Sequence, residues 1–457
     1  MEDLLSWIAR FSGWLWGIPL ITVLLVSGIY MTIKIGFVQF RYPLYIFQQT
    51  FGSVFKKPKG EGTVTPFQAL TSALSSTVGA ANIVGVPAAI MFGGPGAVFW
   101  MWVIALIGMA LKFSESALAV HYREKNEKGE FVGGPMYYMT KGLGMKWLGI
   151  WFSFALMLEL IPSIMVQGNS LASTVEESFN IPALWTGITV AVLVGIVVFG
   201  GIKRIGKVTQ VFVPFMAFIY VGGALIILFM NLNMLPDFFS LIFSNAFSPA
   251  PVIGGFAGAA IVDVIRWGFA RGLYSNEAGL GTSPIAHAAA QTDHPIRQAF
   301  WAIIGIVVDT LIICTATAFV VLSSGVWMEE GAYENTGALT TIAFSSYFGQ
   351  AGSILVTLSL IFFVLSTILV VIFYGSKQAE FLFGLKAAYG IQIVYLIAIV
   401  FGAVGAAEVI WGLLDIMLAA ILLPNIIAIL LLSNKVKELN TEFFTSDKYY
   451  KKDVGKK

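Results

Sequence analysis

The chain of 457 residues is 58% apolar and 11% charged, with a mean hydropathy of +0.84 and a net charge of +2. In soluble domains about a quarter of all residues are charged, so this composition excludes a soluble globular protein. Apolar windows of about 20 residues recur along the whole length, as helices that cross a roughly 30 Å hydrocarbon core require. We therefore expect an all-α polytopic membrane protein that forms one helical bundle.

Eleven membrane spans are predicted in chain order. They are residues 13–33, 66–91, 96–118, 148–172, 183–201, 208–231, 253–282, 297–325, 351–373, 387–404 and 408–432. The first span lacks a basic leader and a cleavage motif, so we interpret it as a retained helix. Most Lys and Arg residues fall in alternate connections and in the tail, which the positive-inside rule assigns to the cytoplasm. A cell-membrane protein with its N-terminus outside and its C-terminus in the cytoplasm is predicted.

Two spans carry glycines and polar residues where continuous helix is expected. Span 2 contains SSTVGAANIVGVP (75–87), and span 7 contains GFARGLYSNEAGLG (268–281). Irregular backbone at membrane depth is tolerated only where it is buried in protein or lines a cavity. Tight packing of small residues would explain the glycines of span 2, but it does not explain the Arg, Asn and Glu of span 7. Both segments are therefore predicted to be helix breaks that form a binding site.

The two breaks lie five spans apart, so their helices run in opposite directions through the bilayer. Residues 66–231 and 253–432 are then related as inverted five-helix repeats, joined by an outer loop (232–252). Residues 1–65 form an extra N-terminal helix with a basic inner loop, and residues 433–457 form a basic cytoplasmic tail. Discontinuous helices at matching positions of inverted repeats are typical of secondary transporters. Their free amides attract a carboxylate, and their free carbonyls coordinate a cation.

Span 9 offers two adjacent hydroxyls, Ser366 and Thr367, one turn after Phe363. Hydroxyls and carbonyls are the oxygen ligands that hard cations prefer. A Ser-Thr pair in a membrane helix more often only bonds back to its own backbone. The pair therefore indicates a cation site only in combination with span 2.

Five charged residues within spans 3, 4, 8 and 11 require an explanation of their own. Glu159, Asp309 and Asp415 are either partnered inside the bundle or protonation sites, and a proton-coupled carrier is the alternative function that follows. Lys112 and Glu115 are expected to snorkel or to pair with each other. The three histidines fall near inner loops, where we expect them at the surface and too dispersed for a metal site.

The chain resembles the alanine or glycine:cation symporter family, the sodium:alanine symporters. The resemblance rests on GEG (60–62), GAANIVG (79–85), GGPMYY (133–138) and SNEAGLG (275–281), and it extends over nearly the whole chain. This family belongs to the amino-acid/polyamine/cation transporters, so the resemblance implies a LeuT-type 5+5 inverted repeat with one additional N-terminal helix. It also implies alternating-access uptake of alanine or glycine, coupled to sodium.

The same resemblance implies roles for individual residues. The substrate-binding set is Ser76, Thr77, Gly79, Ala80, Ala81, Gln167, Phe269, Gly272, Leu273, Tyr274, Ser275 and Asn276. The sodium set is Ser75, Val78, Phe363, Ser366 and Thr367, with Asn82 as a ligand of a possible second cation site. Amides near Gly79 would hold the substrate carboxylate, and Phe269 or Leu273 would form an apolar wall that admits only a small side chain. Gln167 is favoured over Asn169, because the two point to different faces of one helix.

A sodium-coupled symporter of small neutral amino acids is thus the leading prediction. An ion channel is less favoured, because nothing in the chain repeats as a pore-lining ring. An enzyme is not expected, since the scattered acids form no catalytic pair and no ATP-binding loop is present. The expected partners are alanine or glycine, sodium and the lipid bilayer. No organic cofactor, nucleic acid or obligate protein partner is predicted.

Overall fold

The computed structural model describes residues 11, 13–248, 260–333, 336–405 and 407–454. Most of these residues are helical. A short antiparallel pair of strands, β1 (Glu124–Lys125) and β2 (Phe131–Val132), lies in the loop where an inner connection was predicted, with Glu124 opposite Val132. The all-α prediction is therefore confirmed for the described residues.

The helices of the first half are α1 (Ile18–Lys34), α2 (Val38–Arg41), α3 (Pro43–Gln49), α4 (Pro66–Thr77), α5 (Val86–Gly93), α6 (Ala97–His121), α7 (Pro135–Tyr137), α8 (Lys146–Phe179), α9 (Ala183–Val198), α10 (Gly201–Met230) and α11 (Leu235–Ala246). Those of the second half are α12 (Ile261–Asn276), α13 (Ser283–Ala288), α14 (Pro295–Ile306), α15 (Thr315–Ser324), α16 (Leu339–Phe348), α17 (Gln350–Phe383), α18 (Leu385–Val404), α19 (Ala407–Leu431), α20 (Ser433–Thr445) and α21 (Tyr450–Val454). π-Helical turns occur at Ala81–Gly85, Tyr138–Gly142 and Val307–Cys314, and 3₁₀ turns occur at Phe51–Ser53, Leu232–Met234, Val326–Met328 and Thr336–Ala338.

The described part of the chain supports fewer membrane spans than the eleven predicted. Seven helices in the described part of the chain are long and apolar enough to cross a bilayer, or up to nine if each of two bent pairs counts as one span. The predicted span 183–201 is a helix of 16 residues, and the first residues of the predicted span 253–282 lie outside the described ranges. Length and composition therefore support seven to nine spans, and the count of eleven is not confirmed.

Two groups of helices surround the first predicted break. The long helix α17 packs against α8, α18 and α4, whereas α6 packs against α12 and α14. The predicted break is present: the axis bends by 48° between Pro66–Thr77 and Ala81–Gly93. Because Val78 adopts an extended backbone (φ −81°, ψ 100°), α4 cannot continue through it. The bend thus lies between the two groups.

Two of the three histidines depart from the predicted surface positions, whereas His121 is exposed as predicted. His287 is fully buried and its Nδ1 lies 2.8 Å from Gln298 Nε2. His294 is buried between the rings of Phe443 and Tyr449, at centroid distances of 5.2 and 4.5 Å. Its Nδ1 accepts a hydrogen bond from the Ile296 N–H and so caps the start of α14. The C-terminal helix α20 covers this position, which the sequence pattern did not indicate.

Stability is expected to fall as the pH is lowered from about 6.5 toward 4, because of His294. Burial lowers the pKa of His294 to about 4, whereas an unfolded chain has a histidine pKa of about 6.5. Between these values the unfolded state binds more protons, so acid favours unfolding. His294→Asn keeps a capping side chain but removes the titration. Thermal unfolding in detergent at pH 7 and pH 5 should show a smaller pH effect for the variant, and equal effects in the two proteins would contradict this assignment.

Candidate functional site

The first break consists of residues 78–80, between α4 and the π-helical turn at Ala81–Gly85. The Asn82 side chain stabilises it, because its Oδ1 accepts a hydrogen bond from the Gly79 N–H at 3.0 Å. A Cβ atom added to Gly79 would lie 2.9 Å from Thr367 Oγ1 and 3.8 Å from Gln167 Oε1. The backbone at Gly79 therefore lies directly between α17 and α8, at a distance that only glycine allows.

Oxygen atoms from α4 and α17 meet beside this break. The Thr367 hydroxyl donates to the carbonyl of Ser75 at 2.8 Å and to that of Phe363 at 2.9 Å. Ser366 Oγ also donates to the Phe363 carbonyl, at 2.9 Å. These residues and Val78 are all buried. The structure thus brings together, from two helices, four of the five residues that the sequence analysis assigned to sodium, and Val78 begins the break next to them.

Asn82 belongs to a second polar cluster on the other side of the break. Its Nδ2 donates to Asp309 Oδ1 at 2.8 Å and to Ser275 Oγ at 3.2 Å. Asp309 also accepts hydrogen bonds from the hydroxyls of Ser275 and Thr310. Of the two alternatives left open for Asp309, the partnered one is therefore observed. Asp309 lies in the π-helical turn Val307–Cys314, a distortion that is frequent at functional sites.

The second break consists of residues 277–282, between α12 and α13. The predicted segment 268–281 is helical as far as Asn276, so the break begins later than the first glycines suggested. Glu277 ends the helix with a left-handed backbone (φ 54°), and Gly279 and Gly281 follow with φ of 86° and 80°. The Asn276 carbonyl at the helix end accepts a hydrogen bond from Lys112 Nζ.

Lys112 and Glu115 are buried and do not snorkel to the surface. The Lys112 ammonium reaches the second break from α6, as described above. Asn425 donates to Glu115 Oε2 at 2.9 Å and to the Gly279 carbonyl at 2.8 Å. Both charged residues of α6 therefore support the irregular backbone of the second break.

A small cavity of about 30 Å³ lies between the two breaks. Its wall is formed by Ser76, Thr77, Gly79, Ala81, Glu159, Leu160, Ser163, Gln167, Tyr274, Glu277, Leu280, Thr282, Thr367, Val371, Tyr374 and Leu418. This volume holds about one or two water molecules. Gln167 is 5% exposed, and its Oε1 has no hydrogen-bond partner among the residues described. The arrangement is suited to a small polar ligand and requires the wall to open for anything larger.

The sequence and fold comparisons agree with this geometry. Residues 1–457 match the sodium:alanine symporter family. The chain belongs to that family. It is therefore a multi-pass membrane transporter of a sodium-coupled amino-acid symporter family and not an enzyme.

The symporter is similar in sequence or in fold to the following three proteins. It is 67% identical to the uncharacterised transporter YflA of Bacillus subtilis (strain 168), over 100% of this chain and 97% of that protein. It is 40% identical to the sodium/alanine symporter AgcS of Methanococcus maripaludis, over 95% and 96%. Its fold matches the crystal structure of the Eremococcus coleocola manganese transporter with a TM-score of 0.52 at 12% identity, over 88% and 92%. The symporter therefore has a LeuT-type fold.

Several residues assigned to substrate from the resemblance lie away from the cavity. Phe269 packs against Trp100, at 5.8 Å between ring centroids, and Gly272 faces Met101 and Ile104 of α6. Ala80, Phe269, Gly272, Leu273, Ser275 and Asn276 do not line the cavity, whereas Ser76, Thr77, Gly79, Ala81, Gln167 and Tyr274 do. Asn169 instead donates to the carbonyls of Gly402 and Gly405 in the region of α18. Because α12 stays helical down to Asn276, only one of its residues in this set, Tyr274, reaches the cavity.

The sequence analysis assigned neither the substrate nor sodium to five polar residues of the cavity wall: Glu159, Ser163, Glu277, Thr282 and Tyr374. Glu159, Ser163 and Gln167 recur every four residues along α8 and so share one face, a spacing that could have grouped them. A site role for Tyr374 could not be predicted from the sequence, because an apolar helix with one tyrosine does not reveal which of its faces lies against a break. Glu277 was visible only as part of the second predicted break.

Proposed function

We propose that the protein couples the entry of sodium to the uptake of alanine or glycine across the cell membrane. The observation that carries the proposal is the position of Gly79, whose backbone lies between the Thr367 hydroxyl and the Gln167 amide. Sodium would bind at the oxygens of Ser75, Phe363 and Thr367, next to the amino acid. Binding at adjacent positions on one broken helix is the physical basis of the coupling.

The proposed amino acid binds with its carboxylate at the start of the helical segment that follows the first break. Amides at a helix N-terminus and its dipole favour an anion. The unpartnered Gln167 Oε1 is an acceptor suited to the substrate ammonium. Since the cavity is small, its wall has to open for the amino acid, and each methylene added to the side chain requires further displacement. An extra methylene typically changes discrimination by about 1 to 3 kcal/mol.

Alternating access is proposed to involve the segments 66–231 and 253–432 as inverted repeats, with the N-terminus outside. The end of α4, just before the first break, contacts the second break, since Ser76 Oγ donates to Glu277 Oε2 at 3.1 Å. Such a contact between the repeats supports a mechanism in which they move relative to each other around the cavity.

Purified protein in liposomes tests the proposal. Radiolabelled alanine should accumulate under an inward sodium gradient and not when potassium replaces sodium. Unlabelled glycine and alanine should compete, whereas glutamine, with its longer side chain, should compete weakly. Uptake that follows an inward proton gradient without sodium would contradict the sodium coupling and support the proton-coupled alternative. Strong competition by glutamine would contradict the small-substrate proposal alone.

A further inference from the structure

Two carboxyl groups face the cavity between the breaks. Glu277 accepts hydrogen bonds from the hydroxyls of Ser76, at 3.1 Å, and Thr282, at 2.6 Å. Glu159 is 3% exposed, and no residue in the described ranges forms a hydrogen bond or ion pair with its carboxyl group. Burying a carboxylate without a partner is costly, so an intramembrane acid of this kind either binds a proton or binds a cation.

The charges around the cavity leave one negative charge uncompensated. Lys112 is the cation that acts on Glu277, and it lies behind the second break. Among the described residues, the charged group that acts on Glu159 is Glu277, which repels it. No Lys, Arg or His belongs to the described cavity wall. With both carboxyl groups ionised, the cavity therefore favours one additional cation.

The Glu159 end of the cavity is separate from the proposed alanine site. Glu159 precedes Gln167 by eight residues in α8, which corresponds to about 12 Å along a helix. Gln167 contacts the region of Gly79, and Glu159 lies two turns nearer the end of α8 that begins at Lys146. Alanine carries its ammonium and carboxylate on one carbon atom, so it is short compared with this separation of Gln167 and Glu159 along α8.

The surroundings of Glu159 are those of a small hard cation. The cavity is about 30 Å³, which admits a cation with one or two water molecules as it stands, whereas an amino acid requires the wall to open. Beside the two carboxyl groups, the wall offers the hydroxyls of Ser76 and Tyr374, whose oxygens lie 3.4 Å apart. Carboxylate, hydroxyl and water oxygens are the ligands that hard cations prefer.

We propose that Glu159 and Glu277 bind a sodium ion at a second cation site, separate from the oxygens around Thr367. The inference rests on the proposed sodium coupling. The site lies on the side of the first break that faces the Lys146 end of the bundle. A sodium ion there stabilises two neighbouring carboxylates that otherwise repel each other.

Binding of radioactive sodium to the purified protein, without alanine, tests this site. Glu159→Gln removes the carboxylate and keeps the side-chain size, and we expect it to bind one sodium equivalent fewer than the wild type at saturation. Thr367→Ala should weaken the binding of a different equivalent by about tenfold or more, so the double variant should lose one equivalent and bind another more weakly. Glu159→Asp retains a carboxylate and should keep the equivalent with weakened affinity. Glu176→Gln, an exposed residue of the same helix, is the matched control and should bind as the wild type does.

Unchanged sodium binding by Glu159→Gln would overturn the proposal. If that variant instead loses a dependence of alanine uptake on the proton gradient, Glu159 is a proton-binding residue. Elution of each variant as one sharp peak in size-exclusion chromatography in detergent shows that it is folded. If Glu159→Gln does not fold, Glu159→Asp tests the site in its place. Failure of the wild type to accumulate alanine under a sodium gradient would contradict the proposed function. The number of sodium ions bound to the purified protein is measured separately, so failure of the proposed function can be distinguished from failure of the second cation site.

Discussion

Gly79→Ala is expected to reduce sodium-driven alanine uptake by about tenfold to a hundredfold, because overpacking costs about 1 to 3 kcal/mol. The added methyl group would lie 2.9 Å from Thr367 Oγ1. That hydroxyl cannot simply rotate away, since it is held by the carbonyls of Ser75 and Phe363. The substitution therefore separates α4 from α17 where both proposed ligands bind. Initial rates of radiolabelled alanine uptake in liposomes measure the effect.

Gly85→Ala is the matched control for Gly79→Ala. Gly85 lies in the same segment with ordinary helical angles (φ −70°, ψ −33°), and an added Cβ would meet only Arg271 Cδ, at 3.8 Å. This is a normal van der Waals contact, and alanine has the higher helix propensity. Uptake by Gly85→Ala should therefore equal that of the wild type. Equal losses in both variants would show that the segment tolerates no methyl group anywhere, and would remove the argument for a specific site at Gly79.

Thr367→Ala is expected to raise the sodium concentration for half-maximal uptake by about tenfold or more, as loss of an interaction with a charged group costs about 1.5 to 3 kcal/mol. The hydroxyl is the only side-chain oxygen seen to bridge Ser75 and Phe363 among the described residues. Removing it deletes one oxygen from the proposed sodium site and leaves the Ser75 carbonyl without this donor. The measurement is alanine uptake as a function of external sodium.

Two further substitutions in the same helix complete this test. Thr367→Ser keeps the hydroxyl and should retain nearly the wild-type sodium dependence. Thr357→Ala removes a buried threonine ten residues earlier in α17, away from the break, and should leave the sodium dependence unchanged. A normal sodium dependence in Thr367→Ala would exclude the hydroxyl from the sodium site, whatever the maximal rate.

Much of the fold could be predicted because the bilayer imposes simple rules on sequence. Long apolar windows must be helices, and polar glycine-rich stretches within them must be buried or line a cavity. These rules were sufficient to locate the break near Gly79. They were less reliable for spans whose apolar stretch is short, such as Ala183–Val198, where length alone does not decide whether a helix crosses.

The second break shows why local pattern was insufficient. Glycines at 268 and 272 suggested unwinding, but each is needed for close packing: an added Cβ would lie 2.4 Å from the Ala97 carbonyl oxygen or 2.5 Å from Ile104 Cγ2. The helix therefore stays intact until Glu277. The sequence does not reveal whether a glycine is required for an unusual backbone conformation or for close contact with a neighbouring helix. Here only the packing of α12 on α6 distinguishes these two roles.

The sequence by itself determined the membrane class, the break at residues 78–80 and the family, because hydropathy and motif order are local properties of the chain. The tertiary structure decided which polar groups meet: Thr367 with Ser75, Asn82 with Asp309, and Glu159 with Glu277 around one cavity. These pairs are separated by more than a hundred residues in the chain. Their meeting depends on how helices cross, and helix crossing is set by side-chain packing over the whole bundle.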